Sequence, residues 1–282
     1  MEKNIYQIVS ENIIHQIMTG SIPWRKPWCK PSGEDMLNYV SRKSYNGINR
    51  LLLTMPGEYM TFNQCKNAGG QIKKGEKAFT VFKWIPFIPK EFKAEKEKLE
   101  KEGLPTDHLT RFLAGYDKVF HISQTENVTS KIKQPEHNES LNPKGMADFR
   151  IEQYCTRERI KIVTKKTDIC QLDLDSKTYN LPEKTQFKHE EDWYGKIFDG
   201  FIRNDILKEK PDVEDNVMNL AAEIGSSMLL NETGLSREWT DPNAAAACRM
   251  WVDEISKNPM LIVKACRLAE TAARNVIEDF IS

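Results

Sequence analysis

From Phe187 onward the chain is written in helix period, and that run constrains the fold more than any other stretch. Apolar residues recur at three- and four-residue spacing over about 187–204, 213–231, 242–256 and 259–280, with Pro211, Gly234, Pro242 and Pro259 as punctuation. Helices in such close succession must share a core, so this part reads as a bundle. Ahead of it, Ile160–Val163, Gln171–Leu174 and Lys177–Leu181 read as short strands. Residues 146–282 are thus predicted to be a small sheet followed by helices. Residues 129–145 are polar, carry two prolines and read as a linker, which leaves residues 1–128 as a first domain.

That first domain mixes helix and strand signals. Ile5, Ile8, Val9, Ile13 and Ile17 predict an opening helix closed at Gly20, and Thr61 reads as the N-cap of a short helix ending at Gly69-Gly70. Strands are predicted from Ala78 to about Ile85 and over Lys118–Ser123. Between them, residues 90–103 alternate in charge sign and read as a solvated helix or an excursion from a hairpin. The expected class is α+β.

A formal net charge of zero hides a gradient. Residues 1–90 hold 13 Lys+Arg against 6 Asp+Glu, whereas residues 181–282 hold 12 against 19. Only the first part is attractive to a polyanion. No apolar run approaches the length of a membrane span, and Met1-Glu2-Lys3-Asn4 does not open a signal peptide, so a cytoplasmic protein without membrane contact is expected. The six cysteines are scattered without a C-x-x-C pair, which points to reduced thiols rather than a zinc ribbon or a disulfide framework.

Three basic segments carry the chemistry of a strand-binding surface. They are Trp24-Arg25-Lys26-Pro27-Trp28, the stretch from Ser41 to Arg50, and Gly69-Gly70-Gln71-Ile72-Lys73-Lys74-Gly75-Glu76-Lys77. Arg and Lys neutralise phosphates, Trp and Tyr offer faces to unpaired bases, and Gly lets backbone N–H groups approach an anion. The candidates for single-stranded DNA are Trp24, Arg25, Lys26, Trp28, Arg42, Lys43, Tyr45, Asn49, Arg50, Lys73, Lys74 and Lys77. Any one segment alone reads more simply as core aromatics pinned by Pro23 and Pro27 beside solvated lysines. Three in one basic region favour binding.

A family resemblance runs through the same residues. Gly20 to Trp28, Tyr45-Asn46-Gly47-Ile48-Asn49, Thr61-Phe62-Asn63-Gln64, Gly69-Gly70 with Lys74-Gly75-Glu76-Lys77, and Val119 to Glu126 together resemble the N-terminal domain of the ArdC-type antirestriction proteins. These are encoded on mobile elements, and that domain binds single-stranded DNA. The match covers most of residues 1–127 in order, with a longer charged excursion around 88–113.

ArdC-type proteins continue into a zincin-like metallopeptidase domain, with H-E-x-x-H on one helix and a Glu as third ligand on a later one. Here Tyr179-Asn180-Leu181-Pro182 and Gln186-Phe187 resemble the approach to that helix, and Trp193 to Phe198 resemble its first turns. Asp199-Gly200-Phe201-Ile202-Arg203 then stands where H-E-x-x-H belongs, and Ala222-Glu223-Ile224-Gly225 resembles the third-ligand segment. The motif needs two imidazoles on one helix face for Zn²⁺ and a Glu to activate the metal-bound water. Gly200 has no side chain to act as base, and Arg203 puts a permanent cation at a ligand position. His189-Glu190 has Trp193 where a second His is needed.

The resemblance therefore implies Asp199, Arg203 and Glu223 as degenerate metal positions, with no cofactor and no peptide hydrolysis. Arg203 is expected to pair with Glu223 and with Asp199, linking by charge the helices that a metal links in the family. Two other readings stay open. One is a metallopeptidase with rearranged ligands drawn from His189, Asp199 and Glu223. The other is a protein-interaction module in the acidic second half, with a host protein as partner.

Overall fold

The computed structural model describes residues 4–27, 29–30, 36–132, 142–235 and 248–278. Helix α1 (Ile5–Met18) opens on a reciprocal cap in which Asn4 Oδ1 accepts the Gln7 N–H and Gln7 Oε1 accepts the Asn4 N–H, both at 3.0 Å. Val9, Ile13 and Ile17 form its buried stripe, and Gly20, at φ +88°, turns the chain out of the helix.

A four-stranded mixed sheet follows. Strand β1 (Met36–Asn38) runs parallel to β2 (Gly57–Met60), which pairs antiparallel with β5 (Arg111–His121), and β5 pairs along nine residues with β4 (Phe79–Phe87) at the edge. Between strands lie α2 (Ile48–Leu52) and α3 (Phe62–Asn67), the latter capped by Thr61 as expected. Strands β3 (Gln71–Ile72) and β6 (Thr125–Glu126) form a separate two-stranded ladder. Tyr59 sits at the sheet's centre, with Tyr45, Phe79 and His121 packed edge-on at 5.0–6.0 Å. The charged excursion contains α4 (Lys93–Lys101), which buries no residue and carries a Lys96–Glu100 pair at 3.4 Å.

Helix α5 (Pro143–Glu158) is not predicted by the sequence reading, which gives Asn142 to Gly145 to the linker. The same residues are a helix start: Asn142 Oδ1 accepts the Gly145 N–H at 2.8 Å and Pro143 occupies the first turn. Residues 133–141 of the predicted linker lie outside the described residues. A three-stranded sheet comes next, with β9 (Thr178–Pro182) between β7 (Lys161–Lys165), to which it is parallel, and β8 (Gln171–Asp173). Helices α6 (Glu190–Glu209), α7 (Asp215–Thr233), α8 (Arg249–Lys257) and α9 (Leu261–Ile277) then form the predicted bundle. Residues 236–247, which include the start of one predicted helix, are outside the described residues.

The two halves bury residues in one common core. Val9, Ile13 and Ile17 of α1, with Trp24, belong to the same buried cluster as Phe198, Leu220, Trp251 and Ala265. Periodicity shows that α1 has an apolar stripe but not what covers it. Among the described residues no helix is long and apolar enough to cross a membrane. The six cysteines form no disulfide; burial pushes the Cys29 thiol up to about 12.

Candidate functional site

Pro23–Arg25, which opens the Trp-Arg-Lys-Pro-Trp segment, folds as a tight turn pressed onto α7. Trp24 is 0% exposed, and its Nε1 donates to Glu223 Oε1 at 3.1 Å. Asn231 Nδ2 donates to the carbonyls of Lys26 (2.7 Å), Cys29 (3.0 Å) and Trp24 (3.3 Å), which fastens the turn from the helix side. Lys26 donates to Gln16 Oε1, and burial lowers its pKa. Trp28 lies outside the described residues. The rings expected to face a strand are therefore represented here by one indole that is committed to the core.

The second segment divides. Arg42 pairs with the buried Glu58, which also accepts from Ser130 Oγ at 2.7 Å and the Lys131 N–H at 2.9 Å. Burial alone would raise the Glu58 pKa, but those hydrogen bonds outweigh it and hold the carboxyl below its ordinary value. Lys43 is exposed and Tyr45 is half-buried, with its hydroxyl receiving Asn38 Nδ2 at 3.4 Å. Asn49 makes two bonds with Phe82, accepting its N–H at 2.7 Å and donating to its carbonyl at 2.8 Å. Arg50 is 0% exposed, donates to Tyr45 O at 2.7 Å and faces Glu270 of α9 at 3.3 Å. In the third segment Lys73, Lys74 and Lys77 are exposed in the turn that leads to β4, and Lys73 Nζ reaches Ser123 O at 2.7 Å.

Asn49 and Asn46 are brought into a groove of about 660 Å³ between the β4–β5 hairpin and α9. Its upper wall is aromatic: Trp84 is 48% and Phe112 61% exposed. The sequence reading places Trp84 in the strand predicted from Ala78 to about Ile85 and does not single out Phe112. The overlooked signal is Pro86, which lacks an N–H and marks an edge strand, so an unbroken apolar run around it faces solvent on at least one side.

Asp199, Arg203 and Glu223 line a second cavity, of about 600 Å³, between α6, α7 and α8. Arg203 Nε pairs with Asp199 Oδ2 at 2.7 Å, one turn away, and its Nη1 donates to Asn219 Oδ1 at 3.0 Å. The expected Arg203–Glu223 pair is absent. Glu223 instead accepts two indole N–H groups, from Trp24 at 3.1 Å and from Trp251 at 2.6 Å, and these aim its carboxylate toward the Pro23–Arg25 turn. Gly200 faces away from the cavity, where an added Cβ would lie 2.3–2.6 Å from the Tyr179 ring. His189 precedes α6 and does not line the cavity.

Residues 3–120 match the family model of the N-terminal domain of the anti-restriction factor ArdC. Over that span the chain is similar to an ArdC N-terminal domain. The fold follows ArdC further still. A crystal structure of the antirestriction ArdC protein from the R388 plasmid, metal-free, superposes with a TM-score of 0.65 at 22% identity, covering 97% of both chains. The Mn(II)-bound structure of the same protein gives 0.68 with the same identity and coverage. Among curated proteins, a DNA primase TraC of Escherichia coli is 25% identical over 296 residues, which cover 95% of this chain and 19% of the relative. A second Escherichia coli DNA primase TraC is 25% identical over 304 residues, covering 100% and 27%. The chain thus spans only 19–27% of the length of these relatives.

Mn(II) in the R388 ArdC crystal raises the question of whether the cavity lined by Asp199, Arg203 and Glu223 suits a metal. The residues present do not fit one. A guanidinium stands among the candidate ligands, it holds Asp199, and indole N–H groups occupy both Glu223 oxygens. Among the described residues no group of three His, Cys, Asp or Glu side chains is arranged for a metal ion.

The same geometry separates two variants. Arg203→Ala breaks a partly exposed i,i+4 pair and is expected to cost about 0.5 kcal/mol. Glu223→Ala leaves two indole donors without an acceptor and is expected to cost roughly 2 kcal/mol or more. Thermal melts of both proteins check the order. Equal losses would restore a structural role for Arg203 beyond its own helix face.

Proposed function

We propose that the chain is a single-stranded DNA-binding, antirestriction-like protein of a mobile element, whose second half is a metallopeptidase-like fold without peptidase chemistry. The observation that carries the first part is the exposed cation set Lys43, Lys73, Lys74 and Lys77 within the span similar to an ArdC N-terminal domain. Exposed ammonium groups attract phosphates at long range and release counterions on contact. The name of the Escherichia coli relatives, DNA primase, agrees with DNA as the partner.

The second part rests on the cavity. A metallopeptidase needs an open metal and a base beside its water. Here the metal position holds Arg203, and the base position is a glycine backed by Tyr179. This weighs against the rearranged-ligand enzyme, for which His189 is also out of place. An acidic second half that recruits a host protein remains compatible with the DNA reading and adds to it.

Fluorescence anisotropy with labelled single- and double-stranded DNA of equal length, over a salt series, tests the proposal. The expected result is binding that prefers the single strand and weakens steeply with salt. Elemental analysis of the purified protein is expected to find less than stoichiometric zinc or manganese. No binding at low salt would remove the first part, and a stoichiometric tightly held metal would remove the second.

A further inference from the structure

We propose that the groove between the β4–β5 hairpin and α9 is where single-stranded DNA lies, with bases stacked on Trp84 and Phe112 and a phosphate on Arg267. The inference rests on the DNA-binding reading above and assigns it a site whose rings and cation, Trp84, Phe112 and Arg267, lie outside the three basic segments of the sequence.

The hairpin register places the two rings together. Trp84 pairs with Ala114 and Pro86 with Phe112, so Trp84 and Phe112 are diagonal neighbours on one face of the ladder. Diagonal positions on a pleated pair lie about 7–8 Å apart, close enough for one base to reach both rings. Phe82 lies on the same face and meets Trp84 edge-on at 5.0 Å, while Tyr6 of α1 supports Phe82 at 5.8 Å. Trp84 is therefore braced by Phe82 and half open to solvent. A ring held this way loses little freedom when it binds.

Charge in the groove favours a polyanion. Arg267 of α9 is exposed and lines the groove, and no ion-pair partner meets it among the described residues. Glu270, the acid in the groove, would repel a phosphate if it were bare. It is not bare: it accepts the Gly47 N–H at 2.6 Å, Arg50 at 3.3 Å and Arg274 at 3.1 Å. Two guanidiniums and an amide thus offset its charge, and Arg267 is left for the ligand.

Asn49 acquires a role in this arrangement. Its amide ties α2 to both backbone groups of Phe82, which fixes the groove floor against the strand that carries Trp84. Part of the segment singled out in the sequence builds the site rather than touching its ligand. Apolar rings, an uncommitted cation and a neutralised acid together describe a stacking platform with a phosphate contact.

The test is anisotropy of the full-length chain with a labelled oligothymidine, comparing wild type with Trp84→Ala, Phe112→Ala, Trp84→Phe and Arg267→Ala. Because these side chains are exposed, melting temperatures close to wild type are expected and serve as the folding control. Trp84→Ala and Phe112→Ala are each expected to weaken binding on the order of tenfold or more, with Trp84→Phe recovering part of the loss. Arg267→Ala is expected to lower the salt slope by about one counterion. Wild-type binding that survives both alanine variants unchanged would overturn the groove and leave the DNA reading standing. A wild-type chain that binds no single strand would overturn both.

Discussion

Gly200→Ala is expected to destabilise the protein by roughly 2 kcal/mol or more, although the substitution raises helix propensity. Glycine in a helix interior costs about 1 kcal/mol relative to alanine, so a Gly→Ala change in an open site is a gain. Gly200 is not in an open site. Its missing Cβ would lie 2.3 Å from Tyr179 Cε1, 2.4 Å from Cζ and 2.6 Å from the hydroxyl oxygen. Tyr179 cannot step aside cheaply, because it is buried on β9 and its hydroxyl donates to Lys196 O at 2.5 Å. Steric conflict outweighs propensity here. The melting temperature of Gly200→Ala reads the effect directly, and a Tyr179→Ala, Gly200→Ala double variant is expected to lose less than the sum of its parts. A Gly200→Ala protein as stable as wild type would show that Tyr179 does not fill this space. The same conflict bears on any attempt to install H-E-x-x-H over residues 199–203: a Gly200→Glu side chain would meet the tyrosine ring first.

Glu270→Ala is expected to cost about 3–5 kcal/mol, the ordinary penalty for stripping one partner from a buried ion pair. Arg50 has no solvent to turn to, being fully buried, and Glu270 is a carboxylate facing it across the seam between the two halves. Burial lowers the Arg50 pKa while Glu270 opposes that shift, so the pair exists because the fold forces the charges together. Arg274→Ala removes a half-exposed partner of the same carboxylate and is expected to cost under about 1 kcal/mol. Urea unfolding midpoints of the two variants test the contrast. A Glu270→Ala loss no larger than that of Arg274→Ala would mean that Arg50 finds compensation elsewhere.

Local signals were legible where one segment decides its own state. The cap at Thr61, the apolar stripe of α1 closed at Gly20 and the stops at Pro211, Gly234 and Pro259 all correspond to elements or element ends near those positions. Helix α5 escaped because Asn-Pro-Lys-Gly serves equally as a linker and as a capped start, and only tertiary packing on Ala147 and Tyr154 decides. The site was less legible because it depends on which side of a residue is covered. Trp24 and Trp84 have similar sequence credentials, an indole beside a proline or two, yet the first is wholly enclosed and the second half open. Glu223 was found in sequence, but its partners come from positions 24 and 251, and no spacing rule connects those three.

The common core also governs what a genetic map of this protein would look like. With α1 and Trp24 enclosed among residues of α6 to α9, a lesion at Leu220 or Ala265 removes support from the amino-terminal half as surely as one at Ile13. Null alleles are then expected to scatter on both sides of residues 129–145 and to fall into one complementation group. Two separately expressed halves would each display a large apolar face, and recovery of activity from such a split gene would report reassembly of a single core rather than cooperation between two modules.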